Sequence, residues 1–164
     1  MSDLTELYQS VILDHNRRPR NPGPLDDASG QADGKNPMCG DQLTVWVKVD
    51  GETIADVRFV GKGCAISQAS ASLMTQAVKG KSRAEADALF EQVHAMVLGN
   101  APVTATPDAK PDGAMRSLVA LSGVSRFPAR VKCASLAWHT LRAALADDAQ
   151  ASEQASAQAA VTTE

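Results

Sequence analysis

A thiol and a carboxylate stand two residues apart in Met38-Cys39-Gly40-Asp41, and a second thiol closes Gly61-Lys62-Gly63-Cys64. The third and last cysteine, Cys133, follows Phe127-Pro128-Ala129-Arg130-Val131-Lys132. Thiolates are soft ligands that select zinc or iron–sulfur chemistry, and a carboxylate among them is easier to displace than a fourth sulfur. A hairpin between Asp41 and Cys64 would return the chain to its start, so Cys39, Asp41 and Cys64 can meet. A helix after Pro128 would bring Cys133 to them, and the four groups are read as converging on one metal. A plainer reading competes with this one. The chain has no paired C-x-x-C, and three dispersed cysteines can simply be buried small hydrophobes. The glycines beside Cys39 and Cys64 favour the metal, because a buried core cysteine has no need of them.

The remaining candidates carry less chemistry. His15 precedes a loop and is expected as a surface or capping histidine rather than a ligand. His94 is expected to be partly exposed. His139 lies six residues past Cys133, about 600° of helix rotation, and is expected to point away from it. Arg130 is three residues before Cys133, hence on nearly the same helix face, where a cation could favour thiolate or receive an acidic group from a partner. A plain helix-surface arginine accounts for it equally well.

The elements that must position these groups follow from periodicity and punctuation. Leu4, Leu7, Val11 and Ile12 recur at helical spacing and predict a helix over 3–14 that stops at His15-Asn16. The segment 17–24 holds three prolines and a glycine and must be extended. An edge strand is expected within 26–37. Leu43, Val45, Val47 and Val49 alternate with Thr44, Trp46, Lys48 and Asp50, giving a half-buried strand. Asp50-Gly51 is a hairpin turn signal, and Ala55, Val57 and Phe59 are expected to face inward from the returning strand. A small-sided helix opens at Cys64 and ends at Gly80. Ser82-Arg83-Ala84-Glu85 is a capping box for a helix with a Leu89, Val93, Met96, Val97 stripe, closed by Gly99. Residues 100–113 read as a loop, followed by a short helix with Met115, Leu118 and Val119. Pro128 suits the first position of the last helix, whose stripe is Val131, Ala134, Trp138, Leu141 and Leu145. The expected fold class is α+β, one domain over 1–147, with a frayed or disordered tail over 148–164.

Composition bounds the function. A chain of 164 residues is long enough to bury about 68–70% of its unfolded surface. Aromatics are only 4% of it, so the core must be built from Ala, Val and Leu in close contact. With 16 basic and 19 acidic residues the net charge is −3, which gives no general electrostatic reason to bind nucleic acid or a membrane. No apolar run approaches the ~18 residues of a membrane span, and no signal-peptide pattern opens the sequence, so a cytoplasmic protein is expected. In that reducing compartment an odd number of cysteines argues against a disulfide framework.

Taken together these motifs resemble the U-type iron–sulfur cluster assembly proteins, the SufU/IscU family, which includes NifU N-terminal-like proteins. The resemblance runs through Leu13-Asp14-His15, Pro19-Arg20-Asn21-Pro22-Gly23, Pro37-Met38-Cys39-Gly40-Asp41, Val60 to Ser67, Ala69-Ser70-Ala71-Ser72 and Arg130 to Trp138. It implies a small antiparallel sheet packed against a layer of helices, and a metal held by Cys39, Asp41, Cys64 and Cys133. Lys132 stands where the IscU branch has histidine, and the chaperone-binding stretch of that branch is replaced by Phe127 to Lys132. These departures, with the inserted segment 100–123, look like SufU. The resemblance then implies a zinc-dependent sulfur acceptor that takes persulfide sulfur from a PLP-dependent, SufS-like cysteine desulfurase and serves downstream iron–sulfur assembly proteins. It would work as a sulfurtransferase-like partner rather than as an independent enzyme. Cys39, on a Gly- and Pro-flanked loop, is the expected sulfur acceptor, and Arg130 the expected partner contact. The alternative within the family is a scaffold carrying a transient [2Fe-2S] cluster; outside it, a structural zinc module.

Overall fold

The structure is a computed structural model that describes residues 3–36, 40–99 and 118–157. Its elements are α1 (Asp3–Arg17), β1 (Gly30–Asn36), β2 (Asp41–Asp50), β3 (Thr53–Lys62), α2 (Ala65–Val78), α3 (Arg83–Val97), a 3-10 stretch (Val119–Arg126) and α4 (Pro128–Ala157). The strands form one antiparallel sheet in the order β1-β2-β3. The α+β class and the small antiparallel sheet are as expected.

Alternation in β2 does what its residue pattern demands: Leu43, Val45 and Val47 are buried while Thr44, Trp46 and Lys48 are half-buried on the other face. Gly51, at φ 66°, makes the turn that pairs Asp50 with Thr53. In β3 the expectation for Ala55 is corrected. Lys48 pairs with Asp56 and Val49 with Ile54, so Ala55 is an extra residue that bulges out to solvent and Ile54 takes the inward place. A one-residue slip reverses which side chains face the core.

Helices α2 and α4 pack on the sheet and on each other; α1 lies against α2, and α3 against α4. Contact between β1 and α4 is close enough that a Cβ on Gly30 would meet Ala144 O at 2.3 Å and one on Gly34 would meet Thr140 Oγ1 at 2.0 Å. The small residues of β1 are therefore what lets α4 lie directly on the sheet. The capping box of α3 is present, with Glu85 N donating to Ser82 Oγ at 3.1 Å and Ser82 N donating to Glu85 Oε1 at 3.0 Å. Leu89, Val93, Met96 and Val97 are buried as expected, as are Ala134, Trp138, Leu141 and Leu145 on α4, while Val131 is half-buried.

Two helix ends differ from expectation. Helix α1 continues through His15 and Asn16 to Arg17 because its ladder can run until Pro19 disfavours helix at the preceding residue. Helix α4 runs past Asp147 to Ala157. Asp148 is buried and pairs with Arg83, whose Nη1 also donates to Leu145 O at 2.9 Å. Polar contacts, not an apolar stripe, hold this turn. The expected loop over 100–113 and Met115 lie outside the described residues; Leu118 is buried just ahead of the 3-10 stretch. No described helix is long and apolar enough to cross a membrane.

Candidate metal centre

The hairpin of β1 and β2 closes where Asn36 pairs with Asp41, so the connection that carries Cys39 has both ends tied. Cys39 itself lies outside the described residues. Asp41 is the first residue of β2 and fully buried. Its Oδ1 accepts the backbone N–H of Cys64 at 2.9 Å, and its Oδ2 lies 4.0 Å from Cys64 Sγ. This approach requires Gly63, where a Cβ would sit 2.3 Å from Asp41 Oδ1.

Cys64 is the N-cap of α2, in extended conformation, and its Sγ accepts the N–H of Ser67 at 3.4 Å. The cap thus aims a backbone N–H from the first turn of α2 at this sulfur. Cys133 is buried in the second turn of α4, and Asn36 Nδ2 approaches its Sγ at 3.8 Å. Strand start, helix cap and helix interior thus deliver one donor each. The donor atoms of Asp41, Cys64 and Cys133 all lie within 4.8 Å of one another. Two sulfurs and one carboxylate oxygen, with Asp41 and Cys133 buried and Cys64 half-buried, suit a tetrahedral soft-metal site, whose donors stand roughly 3.5–4 Å apart.

Of the other residues weighed from the sequence, none joins this group among the described residues. Arg130 is exposed in the first turn of α4. His15 corrects the expectation of a surface histidine: it is 2% exposed, with Nδ1 2.7 Å from Ser72 Oγ, which also accepts the N–H of Arg20 at 2.8 Å. Burial, with the Arg20 charge adding to it, pushes its pKa down to about 4, so the ring is neutral near pH 7. His94 is half-buried, as expected, and stacks on Phe90 at 5.9 Å. His139 is exposed overall and meets Phe90 edge-on at 5.0 Å; partial desolvation of its ring lowers its pKa, and the nearby His94 and Arg142 add to this. Both histidines line a groove of about 720 Å³ that also touches Asn36, Lys132, Ser135 and Leu136. Asn36 was invisible from sequence as a partner of Cys133, because only the strand register brings it there. Its one signal was its place just before Pro37-Met38-Cys39.

Comparison with known proteins fits this geometry. The family model described as "NifU-like N terminal domain" matches residues 7–134. The chain is 42% identical over 147 residues to the zinc-dependent sulfurtransferase SufU of Bacillus subtilis, covering 90% of this chain and 95% of that protein. It is 42% identical over 151 residues to the iron–sulfur cluster assembly scaffold protein IscU of Streptococcus pyogenes, covering 92% and 90%. A crystal structure from Fervidobacterium islandicum, of a SufU assigned as a cluster assembly scaffold for the SUF system, superposes with a TM-score of 0.73 at 34% identity, over 85% of this chain and 97% of that one. A NifU-like protein from Brucella abortus shares the fold with a TM-score of 0.77 at 23% identity, over 91% and 99%. With the match running from α1 into α4 and taking in Asp41, Cys64 and Cys133, the chain belongs to the NifU-like N-terminal domain family.

Proposed function

We propose that this protein is a zinc-dependent sulfur acceptor in iron–sulfur cluster assembly, taking persulfide sulfur from a PLP-dependent, SufS-like cysteine desulfurase in the cytoplasm. The observation that carries the proposal is the convergence of Asp41, Cys64 and Cys133, with Cys39 two residues before Asp41 in a connection tied at both ends. The 42% identity to a protein named as a zinc-dependent sulfurtransferase supports the same reading. Cys39 is the fourth ligand. Zinc, when bound, keeps thiolates deprotonated while masking them as nucleophiles.

The residues divide the work by position. Cys133 is buried in a helix and Cys64 caps another, so both are holding ligands, whereas Cys39 belongs to the hairpin connection. Arg130, exposed three residues before Cys133, offers a cation to an acidic group of the desulfurase. The Cys39 thiolate attacks the terminal sulfur of the desulfurase persulfide. A new S–S bond forms on Cys39, the desulfurase S–S bond breaks, and its electron pair leaves on the desulfurase thiolate, with no net oxidation. The sulfur then passes to downstream assembly proteins.

Incubation with desulfurase and cysteine, followed by peptide mass mapping, tests this assignment. The extra sulfur is expected on Cys39, and Cys39→Ala should abolish both sulfur uptake and the stimulation of alanine production. Persulfide confined to Cys133 would invert the roles, and full activity in Cys39→Ala would leave only a structural zinc module. The relatives named as scaffold proteins favour a second reading, with a [2Fe-2S] cluster as cargo on the same ligands. An oxygen-labile coloured cluster that transfers to an apoprotein would support it over the first.

A further inference from the structure

We infer that Asn36 is a positioning residue of the metal centre, donating a side-chain N–H to Cys133 Sγ so that this sulfur stays a holding ligand. The inference rests on the reading of Asp41, Cys64 and Cys133 as a metal site. Asn36 is the last residue of β1, is 7% exposed, and sits across the ladder from Asp41. Its Nδ2 lies 3.8 Å from Cys133 Sγ, a distance suited to an N–H donor on a large, diffuse sulfur. The same ladder pair therefore sends Asp41 in as a ligand and Asn36 in as a donor to one.

The physical consequence is specific to an amide. A hydrogen bond to a coordinated thiolate withdraws electron density from sulfur, fixes its direction and makes it a poorer nucleophile. Cys64 receives a comparable donor, the Ser67 backbone N–H at 3.4 Å, so both sulfurs read here as holding ligands have N–H groups directed at them. Because the amide carries no charge and does not titrate, its influence persists across the working pH range. It also keeps the buried side chain of Asn36 satisfied, coupling the end of β1 to α4.

The test compares Asn36→Leu, which removes the donor at similar volume, with Asn36→Gln, which keeps an amide. Zinc affinity by chelator competition should fall about 10–100-fold in Asn36→Leu and recover in part in Asn36→Gln. In the cobalt-substituted protein the sulfur-to-cobalt charge-transfer band should move to lower energy in Asn36→Leu, and iodoacetamide labelling mapped to Cys133 should speed up. Melting of the chelator-treated proteins separates a ligand effect from a folding effect. An unchanged band and unchanged affinity in Asn36→Leu would overturn the assignment, as would equal changes in both variants accompanied by equal loss of metal-free stability. A wild-type protein that takes up neither zinc nor cobalt would instead overturn the metal reading, and the role of Asn36 with it.

Discussion

A methyl group on Gly63 would lie 2.3 Å from Asp41 Oδ1 and 3.1 Å from Asp41 Cα, closer than any side chain can be accommodated without movement. The residue before Cys64 is therefore small so that a carboxylate can pass it and accept the Cys64 N–H. Gly63→Ala should displace Asp41 while leaving the sheet and helices assembled. Zinc affinity is expected to fall about 10–100-fold, the range typical for lost support of a ligand, with a much smaller loss of metal-free stability. Chelator competition and urea unfolding on the same samples check the pair of outcomes. Equal affinity to wild type would show that Asp41 contributes nothing to metal retention. In the sequence, the glycine beside Cys64 already favoured a bound group over a buried core cysteine; the structure makes its close neighbour the Asp41 carboxylate.

At the scale of elements, α4 does two jobs, carrying Cys133 near its start and clamping the edge of the sheet along its length. The clamp is polar at its far end, where Asp148 meets Arg83 at the start of α3 and Asp147 Oδ2 accepts the N–H of Gln31 at 3.0 Å. Asp148→Ala leaves the Arg83 guanidinium facing a buried gap. It should cost about 3 kcal/mol, the low end for breaking a buried pair, because Arg83 keeps some contact with water. Ending the chain after Asp147 should cost at least as much. Denaturant midpoints measure both, and a loss below roughly 0.5 kcal/mol would make the extension of α4 an ornament of the surface. The Ala-, Ser- and Gln-rich stretch after Asp147 shows no apolar periodicity, so a search for stripes passes over a helix held this way.

At the scale of the whole molecule, His15 ties α1 to α2 through Ser72 Oγ, which also accepts the N–H of Arg20. Folded, the ring holds a pKa of about 4; unfolded, it returns to about 6.5. Below pH 6.5 the unfolded chain therefore binds a proton that the folded chain refuses. Stability should be constant on this account above pH 6.5 and fall as pH drops toward 4, by on the order of 3 kcal/mol. Acid also protonates metal ligands, so the informative quantity is the difference between wild type and His15→Gln in the chelator-treated form. The wild-type curve should be the steeper between pH 6.5 and 4. Parallel curves would show that His15 charges freely in the folded state.

Residue chemistry and local pattern were enough to single out Asp41, Cys64 and Cys133 as candidate ligands, which the structure brings together, to set out the β2–β3 hairpin, and to find the capping box at Ser82. The hairpin and the capping box depend on groups within a few residues of one another, where strand period and helix capping act directly, and the candidate ligands were marked by side-chain type and, for Cys64, by an adjacent glycine. The neighbours that complete the site and the core were decided only by the tertiary structure. Asn36 reaches Cys133 across 97 residues of sequence, Arg83 reaches Asp148 across 65, and His15 reaches Ser72 across 57. The bulge at Ala55, which exchanges an expected inward residue for Ile54, likewise exists only in the pairing of two strands. Register and packing are collective properties, set by how whole faces of the sheet and helices are buried at once. A buried histidine, a polar helix end and an amide aimed at a sulfur are consequences of that burial, and no local spacing encodes them.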